Sequence, residues 1–305
     1  MKSLLFIGGT GFLGQSFFDY LNKGKLKNLQ LSKIIIISRR NKKIRSKIKI
    51  FYIKKNITSI KKIPITDYII YAANSDNSSE NIKGYYNFKK LLGYEHKKTK
   101  ILFTSSGAVY GPTKIKKKLN EKSLISFNKV SKFSGYKKKY AKSKIIIERE
   151  FKKLGAKGFN VSIARLFSFV GKRILINKNF AITNLINQAK NKQNNEILLK
   201  DTNDVYRGYM HSDDLVRWLV KIMLKSDKNC NIYNVGSDEA ITIKKLANII
   251  AKKFNKKVSF NNKNILKITK KNVDYYVPSI KKVNRFLNLK INKKIENSIN
   301  EIIKI

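Results

Sequence analysis

Leu4-Leu5-Phe6-Ile7-Gly8-Gly9-Thr10-Gly11-Phe12-Leu13-Gly14 is the stretch that decides the fold. Four apolar residues run without a polar break into three spaced glycines, and Phe12 to Asn22 then carries a helical pattern. Glycines at 8, 11 and 14 permit a tight turn, let the backbone approach a pyrophosphate, and let helix and strand pack closely. The start of the helix directs its free N–H groups at the bound anion. A glycine triplet alone is a weak signal; its place between a strand and a helix makes it a strong one. Gly8, Thr10, Gly11, Phe12, Leu13 and Gly14 are therefore the first candidate cofactor-binding residues.

The same alternation continues outward. Ile34 to Ile37, Lys49 to Ile53, Tyr68 to Ala72, Ile101 to Thr104 and Val161 to Leu166 read as further strands, several too apolar to have a wet face. Asn81 to Gly93 and Tyr136 to Leu154 read as helices between them. Strand and helix in alternation predict an α/β fold, a Rossmann-type doubly wound parallel sheet with helices on both faces. Beyond Phe167 the alternation weakens; one helix is expected from Ile182 to Lys190, a strand from Ile232 to Val235 and a helix from Thr242 to Phe254. The expected organisation is a nucleotide-binding domain over 1–166, to which 209–235 returns. A smaller interleaved substrate-binding part is expected over 167–208 and 236–305.

Composition bounds the function. The chain has 67 Lys+Arg against 19 Asp+Glu, a net charge of +48, which raises the question of a polyanionic partner. Yet 42% of its residues are apolar, enough for a real core. Of the 67 cations 58 are Lys, spread over the whole chain, and Asn and Ile are abundant beside them. These are the residues whose codons need only A and T, so compositional bias explains the charge better than nucleic-acid binding does. One cysteine, Cys230, allows no internal disulfide, and with only His96 and His211 beside it no zinc site of the usual kind can be built. No metal is expected. No apolar run reaches the ~18 residues of a membrane span, and the N-terminal apolar stretch ends in Gly8-Gly9 without a cleavage site. The expectation is a cytoplasmic protein without membrane attachment.

The end of the second strand chooses between the two nicotinamide dinucleotides, an acid binding the adenosine ribose and a cation accepting the extra phosphate. Here it runs into Ser38-Arg39-Arg40, and no Asp or Glu occurs between Asp19 and Asp67. In a chain with nine Arg, two adjacent ones at this place carry information, and a guanidinium suits phosphate better than an ammonium does. NADP(H) is favoured, with NAD(H) as the alternative.

Tyr140-Ala141-Lys142-Ser143-Lys144 contains Y-x-x-x-K on a helical stretch, so that tyrosine and lysine share one face. A phenol with a pKa of about 10 is a poor base at neutral pH; a neighbouring ammonium brings it into range. The pattern alone is cheap in a chain with 15 Tyr and 58 Lys. Ser105-Ser106-Gly107-Ala108-Val109-Tyr110-Gly111, placed after a strand and 34 residues before Tyr140, decides the matter. Together with the G-x-x-G-x-x-G turn, these motifs resemble the extended short-chain dehydrogenase/reductase family, and within it the NAD-dependent epimerase/dehydratase enzymes that modify nucleotide sugars.

The resemblance implies Ser106, Tyr140 and Lys144 as catalytic residues, Tyr140 and Lys144 also touching the cofactor. It implies Asn56 in the place of an adenine-binding acid, and Ala72-Ala73 beside the cofactor. Asn81-Ile82-Lys83-Gly84 matches a family helix whose Asn holds the active-site region together. Arg207, in Arg207-Gly208-Tyr209-Met210-His211-Ser212-Asp213-Asp214-Leu215, is implied as a pyrophosphate ligand, with Arg285 a weaker one. Ala164 to Gly171, Tyr233 to Gly236 and Tyr276-Val277-Pro278 complete the likeness; His211 reads as a packed structural residue.

The acidic pair that sugar dehydratases carry is replaced here by Gly107 and Ala108, and the Cys that enzymes also epimerising next to the ketone place near Ala108 is missing too. What remains is hydride transfer at a sugar carbon, C4 in most of the family. Reduction of a 4-keto-sugar nucleotide by NADPH is favoured; a 4-epimerase with tightly held NAD is the alternative. A non-catalytic NADP- or RNA-binding member of the fold is the reading of a different class. The expected partners are a nucleotide sugar and a second copy of the chain, relatives often dimerising through the Y-x-x-x-K helix.

Overall fold

The structure is a computed structural model that describes residues 1–40, 42, 44–174, 180–199, 204–260 and 273–303. The N-terminal half runs β1 (Lys2–Ile7), α1 (Phe12–Asn22), β2 (Leu31–Ser38), β3 (Lys49–Lys54), β4 (Tyr68–Tyr71), α2 (Ser78–Lys90), β5 (Lys100–Ser106), α3 (Phe127–Ser131), α4 (Gly135–Ala156) and β6 (Asn160–Leu166). It continues with β7 (Ser168–Val170), α5 (Ala181–Lys190), β8 (Glu196–Leu199), β9 (Asp204–Arg207), β10 (Tyr209–His211), α6 (Ser212–Leu224) and β11 (Asn231–Val235). The chain ends with β12 (Ile241–Thr242), α7 (Ile243–Lys253), β13 (Lys257–Phe260), β14 (Val273–Tyr276), α8 (Lys281–Leu287) and α9 (Ile295–Ile303).

Seven strands form one parallel sheet in the order β11-β6-β5-β4-β1-β2-β3. The unbroken apolar runs follow from burial on both faces. Leu4, Phe6, Ile34 and Ile36 point into one core, packed with α1, α6 and α8 residues such as Phe17, Trp218 and Val283. Leu5, Ile7, Ile35 and Ile37 alternate with them into the opposite core, with Phe88 of α2 and Phe151 of α4. At about 25 cal/mol per Å² of apolar surface removed from water, these two faces supply the main driving force for the sheet. The strand order reverses between β1 and β4, which opens a crevice at the strand C-termini where ligands of such sheets bind.

The first six strands and α1 lie where the sequence pattern places them. α6 has no counterpart among the expected helices. It is amphipathic all the same: Leu215, Trp218, Leu219 and Ile222 lie on its buried face, and Asp213, Arg217 and Lys221 fall on one stripe away from it. The later part of the chain has a third core, formed by α5, α7 and α9 with Ile197, Leu199 and Tyr209. Three small sheets accompany it among the described residues, β10-β7, β13-β8 and β12-β9-β14. Of the segments expected to bind substrate, 175–179, 200–203, 261–272 and 304–305 lie outside the described residues.

Candidate active site

The turn after β1 is built as the glycine spacing demands. Gly8 has φ +85°, and a Cβ there would stand 2.8 Å from the Ala72 backbone, so β1 and β4 can approach only with glycine. A Cβ on Gly14 would lie 1.8 Å from the Gly9 carbonyl oxygen. Gly11 caps α1 with no side-chain hydrogen bond and no acid in the first turn, which leaves the helix start open to an anion. A Cβ on Gly11 would meet only the Gly8 carbonyl, at 3.6 Å. Thr10 and Ser38 join their hydroxyls at 2.6 Å, linking the turn to the end of β2. Phe12 stacks on Phe169 at 4.8 Å, and Leu13 packs against the sheet core. Ala72 donates its N–H to Ile7 at 2.9 Å, and Ala73 follows it out of the sheet. Asn81 clasps the next loop, accepting from Ser75 N at 2.7 Å and donating to Ser75 O at 2.9 Å. These groups fit a dinucleotide pyrophosphate: a glycine cradle with room at its rim, at the N-terminus of a helix, in the crevice of the sheet.

At the end of β2 the structure adds a neighbour that the local sequence does not contain. Arg39 and Arg40 are both exposed, but Arg39 Nη1 lies 3.3 Å from a Glu80 carboxylate oxygen. The Asn56 amide donates to the other Glu80 oxygen, while its carbonyl accepts from Thr58 N at 3.2 Å. A carboxylate absent from the sequence between Asp19 and Asp67 is thus supplied from the start of α2.

Ser106, Tyr140 and Lys144 come together at the C-terminal end of β5. Ser106 is buried, caps the following turn by accepting from Ala108 N at 3.2 Å, and lies within hydrogen-bonding reach of the Tyr140 and Tyr276 hydroxyls. Burial pushes the Tyr140 phenol up to about 12, with the Ser106 hydrogen bond pulling it back. Lys144 donates to the Thr104 carbonyl at 3.1 Å, and its ammonium lies 5.5 Å from the Tyr140 ring centre. Burial lowers Lys144 to about 8, opposed by the charge of Glu148. One turn further along α4, Glu148 accepts from Arg165 Nε at 3.0 Å and Nη2 at 2.7 Å and from the Ser105 hydroxyl at 2.5 Å. Arg165 also donates to Tyr110 at 2.9 Å, and Tyr110 to Asn234 at 2.7 Å. This buried network fixes α4 to β5, β6 and β11, and with it the face that carries Tyr140 and Lys144.

The remaining candidates divide. Arg207 pairs with Asp274 at 2.6 Å and lies 5.7 Å from the Tyr276 ring, next to the Ser106–Tyr140 cluster. Arg285 is exposed on α8 with its guanidinium 5.6 Å from the Phe286 ring. His211 is fully buried, caps α6 by accepting from Asp213 N at 2.9 Å, and contacts Glu301 at 2.9 Å, as a structural residue would. Among the described residues no cluster of metal-ligating side chains occurs, and no helix is long and apolar enough to cross a membrane.

Two contributors escaped the sequence reading as site residues. Glu80 is one, and only its place at a helix start signalled it. Tyr276 is the other. Its hydroxyl is so close to Gly107 that a Cβ there would stand 2.7 Å from it, and 2.8 Å from the Phe167 ring. The turn that carries Gly107 is filled from the C-terminal part of the chain.

The comparisons with known proteins agree with this architecture. A dTDP-glucose 4,6-dehydratase from Bacillus anthracis in complex with NAD is 16% identical and superposes with a TM-score of 0.77 over 100% of this chain and 96% of that one. The UDP-glucose 4-epimerase of Thermotoga maritima with UDP-glucose is 16% identical, with a TM-score of 0.75 over 99% and 97%. A UDP-N-acetylglucosamine 4-epimerase from Methanobrevibacter ruminantium in complex with UDP-N-acetylmuramic acid is 18% identical, with a TM-score of 0.74 over 99% and 97%. At these identities the likeness is one of fold. Among curated protein sequences no relative matches. The family profile, by contrast, matches residues 4–236, and the chain belongs to the NAD dependent epimerase/dehydratase family.

Proposed function

We propose that the protein is a nucleotide-sugar oxidoreductase that transfers hydride between a nicotinamide dinucleotide and a sugar carbon, C4 being favoured. The observation that carries this reading is the convergence of Ser106, Tyr140 and Lys144 at the C-terminal end of β5, on the same edge of the sheet as the glycine turn after β1. The cofactor supplies or accepts the hydride when bound. Gly8 to Gly14 would hold its pyrophosphate, Ser38, Arg39, Arg40 and Asn56 its adenosine, and Lys144 its nicotinamide ribose. The substrate would be a nucleotide sugar held over 167–208 and 236–305, with Arg207 on its pyrophosphate.

Proton transfer falls to Tyr140. With its phenol held near 12 it stays protonated at neutral pH, the form that donates to a carbonyl oxygen during reduction. Ser106 is placed to hydrogen-bond the same oxygen. In the oxidative direction the phenolate is needed, and the Lys144 ammonium lowers the energy of that form. Dehydration needs an acid and a base after Ser106; Gly107 and Ala108 offer neither, and Tyr276 fills the space above Gly107.

Arg39 and Arg40 support NADP(H), and with it reduction of a 4-keto-sugar nucleotide. The Glu80 contact to Arg39 supports a second reading, a 4-epimerase with NAD. Incubation with a panel of nucleotide sugars and their 4-keto derivatives separates the two. NADPH consumption with a reduced product supports the reductase; epimerised product without net NADPH or NADH consumption supports the second reading. Neither product from any member of the panel, with full activity of Tyr140→Phe on another substrate, would overturn the proposed site.

A further inference from the structure

Three segments distant in sequence meet at the adenosine end of the site: the end of β2, the end of β3 and the start of α2. Their junction is Glu80. One carboxylate oxygen lies 3.3 Å from Arg39 Nη1 and the other accepts from the Asn56 amide. Hydrogen bonds from Ser75 and Asn56, and then the Arg39 charge, hold the carboxyl below the usual glutamate range. Its place in the first turn of α2, which Asn77 caps, favours the anion further. The carboxylate is therefore ionised and anchored, and with 27% of its side chain exposed it remains open to a ligand.

The two dinucleotides meet this charge differently. A ribose 2′-phosphate drawn to Arg39 meets a fixed carboxylate on the same guanidinium, and repulsion between like charges offsets part of the attraction. A ribose 2′-hydroxyl is neutral, and a carboxylate is an acceptor for its proton. We infer that Glu80 is a specificity-determining residue of the cofactor site, acting across the chain fold against the pull of Arg39 and Arg40 and shifting the balance toward the unphosphorylated dinucleotide. The inference rests on the reading of this crevice as a dinucleotide site. Glu80 does the work that an acid at the end of β2 would do, from a position more than forty residues further along the chain.

The test is a fluorescence titration of the full chain with NADH and with NADPH, for the native sequence, Glu80→Gln, Arg39→Gln and the double variant. Glutamine keeps an acceptor for the Asn56 amide and removes the charge. Because the pair is partly exposed, the expected change is modest: Glu80→Gln tightens NADPH about three- to tenfold and leaves NADH unchanged or weaker. In the Arg39→Gln background the gain for NADPH shrinks, because the phosphate has lost the cation that drew it to the carboxylate. Equal melting temperatures of native protein and Glu80→Gln show that the fold is intact. Dinucleotide binding with an unchanged NADPH-to-NADH ratio in Glu80→Gln overturns the inference alone. Failure of both dinucleotides to bind the native protein overturns the dinucleotide reading, and the inference with it.

Discussion

Two ion pairs flank the proposed site, and they are built on opposite principles. Glu148 and Arg165 are almost fully buried, joined through two guanidinium nitrogens and backed by Ser105, Tyr110 and Asn234. Glu80 and Arg39 meet at one nitrogen, 3.3 Å apart, with 27% and 53% of their side chains exposed. A buried pair is costly to form and more costly to break, so it fixes geometry. An exposed pair contributes little to stability and rearranges readily, so it can tune selectivity without endangering the fold. Under the proposed function, the end of the site where a proton would move is held rigidly, and the end that would hold the cofactor's adenosine is held lightly.

The comparison can be broken at either end. Tyr140→Phe, at the rigid end, should lower turnover by roughly a hundredfold or more with dinucleotide affinity nearly unchanged, measured by steady-state kinetics and fluorescence titration. Arg165→Met leaves Glu148 buried without its main partner and should destabilise the protein by about 3–5 kcal/mol, read from denaturant unfolding. A loss below about 1 kcal/mol would place that pair in the same class as Arg39–Glu80 and remove the contrast.

Lys144→Met tests the electrostatic side. Burial lowers the lysine from 10.5 to about 8, so at neutral pH the folded state carries a charge that the environment disfavours by on the order of 3 kcal/mol. The unfolded chain holds its proton more tightly, so this penalty is fully present below pH 8 and disappears as pH rises toward 10.5. Lys144→Met should therefore melt at a higher temperature than the native protein at pH 7, the difference shrinking between pH 8 and 10.5, while turnover is lost. A lower melting temperature across that range would refute the burial argument. The smallest effect belongs to the light end: Arg39→Ala should change stability by less than about 1 kcal/mol, and the change should fade in high salt.

What could be read from the chain follows the same division. β1, β2, β4 and β5 announce themselves because both faces of each are buried, and the Gly8 turn because only glycine fits beside Ala72. Ser106, Tyr140 and Lys144 were readable because strand and helix place them at fixed spacings. Glu148 was within reach as well, one turn after Lys144 in the apolar run Ile145 to Ile147, where an acid needs a buried partner. Glu80 was not, since nothing local ties the start of α2 to the end of β2; only the order of strands in the sheet does. The short strands β9, β12 and β14 were hidden for a related reason. They pair across long separations and have two to four residues each, too few to show a period.

The contact between Tyr276 and Gly107 constrains how this site can change over evolutionary time. An acidic side chain at 107, the first requirement for eliminating water, collides with the Tyr276 hydroxyl and the Phe167 ring before it can do any chemistry. Crowding of this kind costs about 1–3 kcal/mol, a substantial share of the 5–15 kcal/mol that holds a typical domain together. To fit a side chain at 107 without that cost, room would have to be made at both Tyr276 and Phe167, loosening the pocket while nothing is yet gained. Positions 107 and 276 are 169 residues apart in the chain, yet they share one space, so what residue 107 can become depends on what residue 276 is.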